Sequence, residues 1–468
     1  MKKISAIYLF AAMLPGFVLV GCNKLIETGT PENQLVTANV YKDTITMEAA
    51  MLGLYSKIAN FNGALDAGTA TSLFNGLSAD EGYYYPGSFY DEFRNNALTP
   101  NVFYLDGYWA NWYNIIYTAN AIMEGGSASA SLPDAYKART TGEAKFIRAL
   151  CYFYLVNEFG AVPLVLTTNV SVSNVQARDN ISVVYDQIEK DLTDALTGLP
   201  ADLQFYGGSR IRATTWAANA LLARVYLFRG KWSQAATAAG IVIGNPGLFA
   251  MQTDLSKVFL ANSPEGILQF VNGISTSWMA SNLGANPTAV TPNFVLSDTL
   301  YKSFEANDAR KTNWVGIKVF GGNNLPYPAK YKYYSGVGAV EYAQLLRLAE
   351  QYLIRAEART QLSQFADAAA DLNVIRRRAG LGNTTANDKP TLMAAIEQEC
   401  KTEFFVEWGH RWLDLKRWPG ATNSVTKADE VLAALKGAQW QSTDALYPIP
   451  QTARNVNTNL AQNPGYTN

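Results

Sequence analysis

Two stretches of the 468-residue chain overlay on each other at an offset of 133 positions. The first reads as a helix over Ala213–Arg229, a turn at Gly230-Lys231, and a second helix over Trp232–Ile243. The second reads as a helix over Leu345–Leu362, a turn at Ser363-Gln364, and a helix over Phe365–Arg378. Ala223 then falls on Ala356, Trp232 on Phe365, and Ala235-Ala236 on Ala368-Ala369. Small residues at those points let two antiparallel helices approach closely, and the aromatic residue fills the gap beside them. Helix pairs therefore dominate what this chain can fold into.

Such pairs have the tetratricopeptide pattern, and other helices fit the same frame. Phe146, Leu150, Phe153 and Tyr154 recur at helical spacing up to Phe159, where Gly160 and Pro163 provide a stop. A further helix is predicted over Val183–Leu199, closed by Pro200. The expected fold class is all-α: one large domain on tetratricopeptide-like helix pairs, with long irregular loop insertions forming a ligand face. Those insertions cover about 60–108 and 249–339, where Gly, Asn, Pro and Ser are frequent and helical periodicity is not sustained. Long irregular segments inside a compact helical domain are more often functional than idle.

The N-terminus reads as an address. Lys2-Lys3 precede an apolar run from Ile4 to Val20 that Pro15 and Gly16 interrupt, which is a secretory signal pattern, not a spanning helix. Leu19-Val20-Gly21-Cys22 has the order of a bacterial lipobox. Residues 1–21 are expected to be a signal peptide, Cys22 the lipidation site, 22–45 a tether, and 46–468 the folded domain. Several acyl chains, at roughly 0.8 kcal/mol per buried CH₂, hold a chain firmly on a membrane.

Composition narrows the chemistry. Net charge is −1, so nothing asks for nucleic acid. His410 is the only histidine, and the three cysteines are far apart. Catalytic triads, zinc sites and disulfide frameworks lose their usual material, and no cofactor is expected. Charged residues are 16% against roughly 25% in ordinary soluble chains, while aromatics are 12%, with 26 Tyr and 10 Trp. Such a surface suits neutral ring-shaped ligands: aromatic planes stack on the C–H face of a sugar while polar groups bond its hydroxyl rim.

The two insertions are where both would meet. Tyr83, Tyr84, Tyr85, Tyr90, Arg94 and Asn95 are the candidates in the first; Trp278, Asn286 and Trp314 are those in the second. Trp109 and Trp112 sit at helical spacing and read as core. Glu407, Arg411, Asp414 and Arg417, with spacings of three to four, read as helix-face ion pairs and not as a catalytic set. Asp80-Glu81 and Asp91-Glu92 are adjacent carboxylates that point apart, so neither provides the facing pair that glycoside hydrolysis needs.

Ordered motifs give a resemblance. Residues 144–166, AKFIRALCYFYLVNEFGAVPLVL, resemble the hallmark of the SusD/RagB family. Trp112-Tyr113, Ile116 and Ala119-Asn120 resemble its earlier helix, and residues 348–358 its later tetratricopeptide helix. Residues 376–381, 403–418, 446–450 and 462–466 follow in family order. Cys400 departs from it: the family usually has arginine there, a structural ion-pair partner. The resemblance implies a non-enzymatic lipoprotein on the outer face of an outer membrane. It would capture oligosaccharide and hand it to a SusC-like TonB-dependent transporter. Peptide or protein binding of the RagB kind is the alternative, and a secreted glycoside hydrolase a third reading. The family's ligand contacts vary, so no site residue is carried over.

Overall fold

The chain is described here by a computed structural model covering residues 40–61, 65–87, 90–271, 278–333, 340–422 and 425–467. Asp43 opens it as a helix cap, accepting from Thr46 N at 2.8 Å at the start of α1 (Thr44–Ala59). Then come α2 (Ala67–Ser78), β1 (Gly82–Tyr84), α3 (Phe103–Ala128), α4 (Asp134–Phe159) and α5 (Ile181–Ala195). Gly160, at φ +73°, ends α4 where the sequence predicts it. Arg148 on α4 bonds Asp191 on α5 at 2.7 and 2.8 Å and Asn120 on α3 at 2.7 Å, pinning three helices together.

The repeated pairs form as helices α6 (Thr215–Phe228) with α7 (Trp232–Ile243), and α8 (Leu348–Gln361) with α9 (Phe365–Arg378). Ala223, Ala235, Ala356 and Ala368 are all fully buried. Helix α7 packs on α8, so the two pairs stack although the insertion separates them in sequence. A buried bidentate pair, Arg224 to Glu350 at 2.5 and 2.8 Å, ties α6 to α8. Leu345, read from sequence as helical, instead lies in a strand, Ala343–Arg347. Helices α10 (Lys389–Glu403), α11 (His410–Arg417) and α12 (Lys427–Lys436) complete the frame.

The insertions carry more regular structure than their composition suggests. Helix α2 lies inside the first, with all twelve residues buried. Enclosed on every side by other elements, it needs no polar face, so no amphipathic period marks it. The second insertion contributes β2 (Gly266–Phe270), β3 (Phe294–Leu296), β4 (Val315–Phe320) and β5 (Asn323–Pro328), with Ala343–Arg347 as β6. These form three antiparallel pairs: β1 with β3, β2 with β6, and β4 with β5. Gly321-Gly322, both at positive φ, make the two-residue turn of the β4–β5 hairpin.

A buried ion network fastens the second insertion to the helices. Arg347, at the end of β6, reaches Glu265 (2.6 Å), Glu403 (2.9 Å) and Glu407 (2.9 Å). Lys330 donates to Glu407 at 2.5 Å and to the carbonyls of Glu403 and Phe405. Arg378 on α9 holds Glu265 and Glu403, while Arg310 holds Asp308, Glu399 and Glu403.

Candidate functional site

Strand β1 is the core of the site. Gly82 pairs with Leu296, Tyr83 with Val295 and Tyr84 with Phe294, and Tyr85 N extends the ladder to Asn293 O at 2.7 Å. Successive residues of a strand face opposite sides. Tyr84 accordingly meets Tyr90 at 5.0 Å, which in turn meets Tyr104 at 4.7 Å and Phe74 at 5.9 Å. Tyr83 lies under the guanidinium of Arg94 at 4.8 Å, and Tyr85 stands edge-on to Phe320 at the β4–β5 turn, 6.5 Å away. Tyr83, Tyr84, Tyr85 and Tyr90 are all half-buried: held from beneath, with ring surface left to solvent. Phe103, 81% exposed, extends the aromatic face at the start of α3.

Beside Tyr83 is a cavity of about 180 Å³. Arg94 and Asn95 line it with Ser297, Gln439 and Lys436 from α12. Burial and the neighbouring tyrosines push the Tyr90 hydroxyl up to about 12, so it stays a protonated donor at neutral pH. Lys436 caps the end of α2, donating to Ser78 O (2.6 Å), Leu77 O (3.3 Å) and Asn96 Oδ1 (2.5 Å). This arrangement can present ring faces, amides and cations to a polyhydroxylated ligand. Among the described residues no cluster of three or more His, Cys, Asp or Glu is placed to hold a metal ion.

Two family models match this chain, one described as SusD family over residues 288–466, the other as starch-binding associating with outer membrane over residues 78–227. The chain belongs to the SusD family. A SusD-like protein P2 of Formosa agariphila is 28% identical over 96% of this chain and 97% of its own. The starch-binding protein SusD of Bacteroides thetaiotaomicron is 38% identical over 26% of this chain and 21% of its own. Among solved structures, a laminarin binding SusD-like protein aligns with TM-score 0.75 at 25% identity, covering 91% of this chain and all of its own. A SusD superfamily protein from Bacteroides vulgatus aligns with TM-score 0.79 at 19% identity, over 91% and 100% of the two chains.

Within this SusD-family fold the residues singled out from sequence have different fates. Tyr83, Arg94 and Asn95 meet at one cavity, and Tyr84, Tyr85 and Tyr90 join the adjoining aromatic face. Asn286 is exposed and closes its own turn, accepting from Thr288 N at 3.0 Å. Its neighbour Pro287 accepts from Lys318 of β4 at 3.1 Å, which sets this loop beside the hairpin. Trp278 begins the short helix Trp278–Leu283, but its side chain lies outside the described residues, as does Cys22. Trp314 is a correction. It is fully buried, donates to Leu255 O at 2.8 Å, and lies beneath Lys330 and Arg378, so it is core and cannot stack on a ligand. Sequence proximity to loop residues could not reveal that the ion network closes over it. Phe103, Tyr104, Phe320 and Lys436 were missed. Only the tertiary fold brings them to β1, although Phe320 beside a Gly-Gly turn was a readable signal.

The charged motifs are structural. Asp80 is held by Arg411 at 2.8 and 2.9 Å, and Glu407 by Arg347 and Lys330. These pairs run between elements and not along one helix face, because α11 begins only at His410 and leaves Glu407 outside it. Arg417 does pair with Asp414, and it also holds Glu357 at 2.5 Å. Burial, and then the charges of Asp414 and Glu357, push the Cys400 thiol up, while Arg417, paired with both carboxylates, opposes them. His410 stacks on Phe404 at 4.6 Å, and burial pushes its pKa well down, leaving a neutral packing residue.

Glu81, next to Asp80, gives a pH-dependent prediction. It is buried and accepts from Val406 N at 3.0 Å. Burial, with Asp80 adding, pushes its carboxyl up to about 8. A folded-state pKa above the unfolded one stabilises fully below the unfolded value, and that contribution is lost as pH rises through about 8. Glu81→Gln keeps an acceptor without the charge. The variant is therefore expected to gain stability relative to the parent, by on the order of a few kcal/mol at most, between pH 5 and 8.5. Denaturation midpoints at those two pH values check it; parallel curves for the two proteins would contradict it.

A larger cavity of about 490 Å³ lies further along α3, between Asp106, Trp109, Tyr113 and Tyr117 and the segment that follows α4. Its lining is mostly apolar. Trp109, read as core, is 5% exposed and forms part of this wall; Trp112 is fully buried.

Proposed function

We propose that this protein captures oligosaccharide at the cell surface and passes it to a SusC-like TonB-dependent transporter in the outer membrane, without turning it over. It would be held there by lipid on Cys22. The observation that carries the reading is the half-exposed ring set at β1, Tyr83 on the strand and Tyr85 just after it with Phe320 of β4, beside a cavity rimmed by amides and cations. Ring faces supply stacking for pyranose C–H surfaces, and the rim supplies hydroxyl partners. Relatives described as laminarin-binding and starch-binding support a carbohydrate ligand. No helix among the described residues is long and apolar enough to cross a membrane, which fits an anchor at the N-terminus.

Tyr85→Ala removes a ring that the core does not need. It is expected to weaken oligosaccharide binding about tenfold, the equivalent of about 1.4 kcal/mol, with an unchanged melting temperature. Titration calorimetry against laminarin- and malto-oligosaccharides measures this, and chromatography of the same mixtures checks that no product forms. Binding of peptides in place of any glycan would overturn the reading in favour of the RagB-like alternative.

A further inference from the structure

The 180 Å³ cavity beside Tyr83 is about the size of one pyranose ring and carries a charge imbalance. Arg94 is exposed, rests on the Tyr83 ring at 4.8 Å, and has no carboxylate partner among the described residues. The Lys436 ammonium donates only to neutral oxygens, those of Leu77, Ser78 and Asn96. The one carboxylate lining the cavity, Asp80, is already held by Arg411 in a bidentate pair and approached by Lys401 at 3.4 Å. Arg94 and Lys436 thus face one cavity whose only lining carboxylate is already paired, with Asp444 acting on Lys436 from outside that lining. Burial draws Lys436 down to about 7, so it is only partly charged at neutral pH and Arg94 is the standing cation; Asp80 and Asp444 oppose this lowering and Arg94 adds to it. An anion between them would relieve the repulsion and find a guanidinium already oriented by the ring beneath it.

We infer that this cavity takes the anionic substituent of an acidic sugar, a uronate carboxylate or a sulfate ester, with Tyr83 stacking on its ring and Arg94 bonding its charge. The inference rests on the glycan-capture reading and specifies its substrate class. A guanidinium offers two parallel N–H donors to a planar or tetrahedral oxyanion, whereas a neutral hydroxyl uses only one of them.

The test compares four probes on the full folded protein by calorimetry: an oligogalacturonate, the same oligosaccharide with its carboxyls reduced, a sulfated oligosaccharide, and a neutral laminarin-oligosaccharide. The expected result is binding of at least one acidic probe tenfold or more tighter than the neutral ones. That preference should weaken with added salt, disappear in Arg94→Gln and persist in part in Arg94→Lys. Arg94 is exposed, so its variants are expected to melt with the parent. Equal binding of acidic and neutral probes, or an acidic preference that survives Arg94→Gln, overturns the inference and leaves glycan capture standing. Failure of all four probes overturns both. Preference for the carboxylate or for the sulfate ester names the source of the charge.

Discussion

Arg347→Met is expected to cost the fold about 3–5 kcal/mol, the range for deleting one partner of a buried ion pair. The side chain is 2% exposed and is the hub where Glu265, Glu403 and Glu407 converge. Lys330, Arg378 and Arg310 hold the same three carboxylates from other sides, with Arg376 on Glu399 at the rim, and none can move into the vacated space without leaving its own partners. Methionine fills much of the volume but leaves negative charge in a water-poor interior, so the penalty is desolvation and not a packing void. Urea denaturation measures it. The double variant Arg347→Met/Glu407→Gln is expected to recover part of the loss, because it removes one of the three carboxylates that lost a cation. A cost below about 1 kcal/mol, or no recovery in the double variant, would show that the network adds little to stability.

Gly82→Ala should have the second-largest effect and a different character. An added Cβ at Gly82 would sit 2.2 Å from the backbone oxygen of Val295 and 2.4 Å from the Phe294 ring. The first obstacle is backbone within the same ladder, so the strand itself must move. Overpacking of this kind costs about 1–3 kcal/mol. The functional consequence is larger. Displacing β1 from β3 breaks Ser297 N to Glu81 O (2.8 Å) and swings Tyr83, Tyr84 and Tyr85 together. Oligosaccharide affinity is expected to fall more than tenfold while helical circular dichroism stays near that of the parent. Full affinity in the variant would mean that the strand does not position the site.

Much of the helical frame was legible because local and global preferences agree there. Alanines at matching positions of two hairpins, a glycine and proline after Phe159, and an aromatic helix carrying Arg148 each state their structure within one or two turns. Helix α2 was not legible. A helix buried on all sides has no polar stripe, and its Gly and Thr content reads as loop. Half of the candidate site was readable for the same local reason: Tyr83, Tyr84, Tyr85, Tyr90, Arg94 and Asn95 lie within thirteen residues, so proximity in sequence kept them together in space. Trp314 was misread because its fate depends on Lys330 and Arg378, and Arg378 lies on a helix 64 residues further along the chain.

The sequence alone determined the paired-helix architecture, the scarcity of histidine and cysteine and the segment where aromatic residues concentrate. All three are properties of periodicity and composition. Only the tertiary structure decided which rings face solvent, which carboxylates are neutralised and which cations among the described residues have no carboxylate paired to them. Those properties depend on burial and on contacts across hundreds of residues, such as Asp80 with Arg411, and no local pattern encodes them.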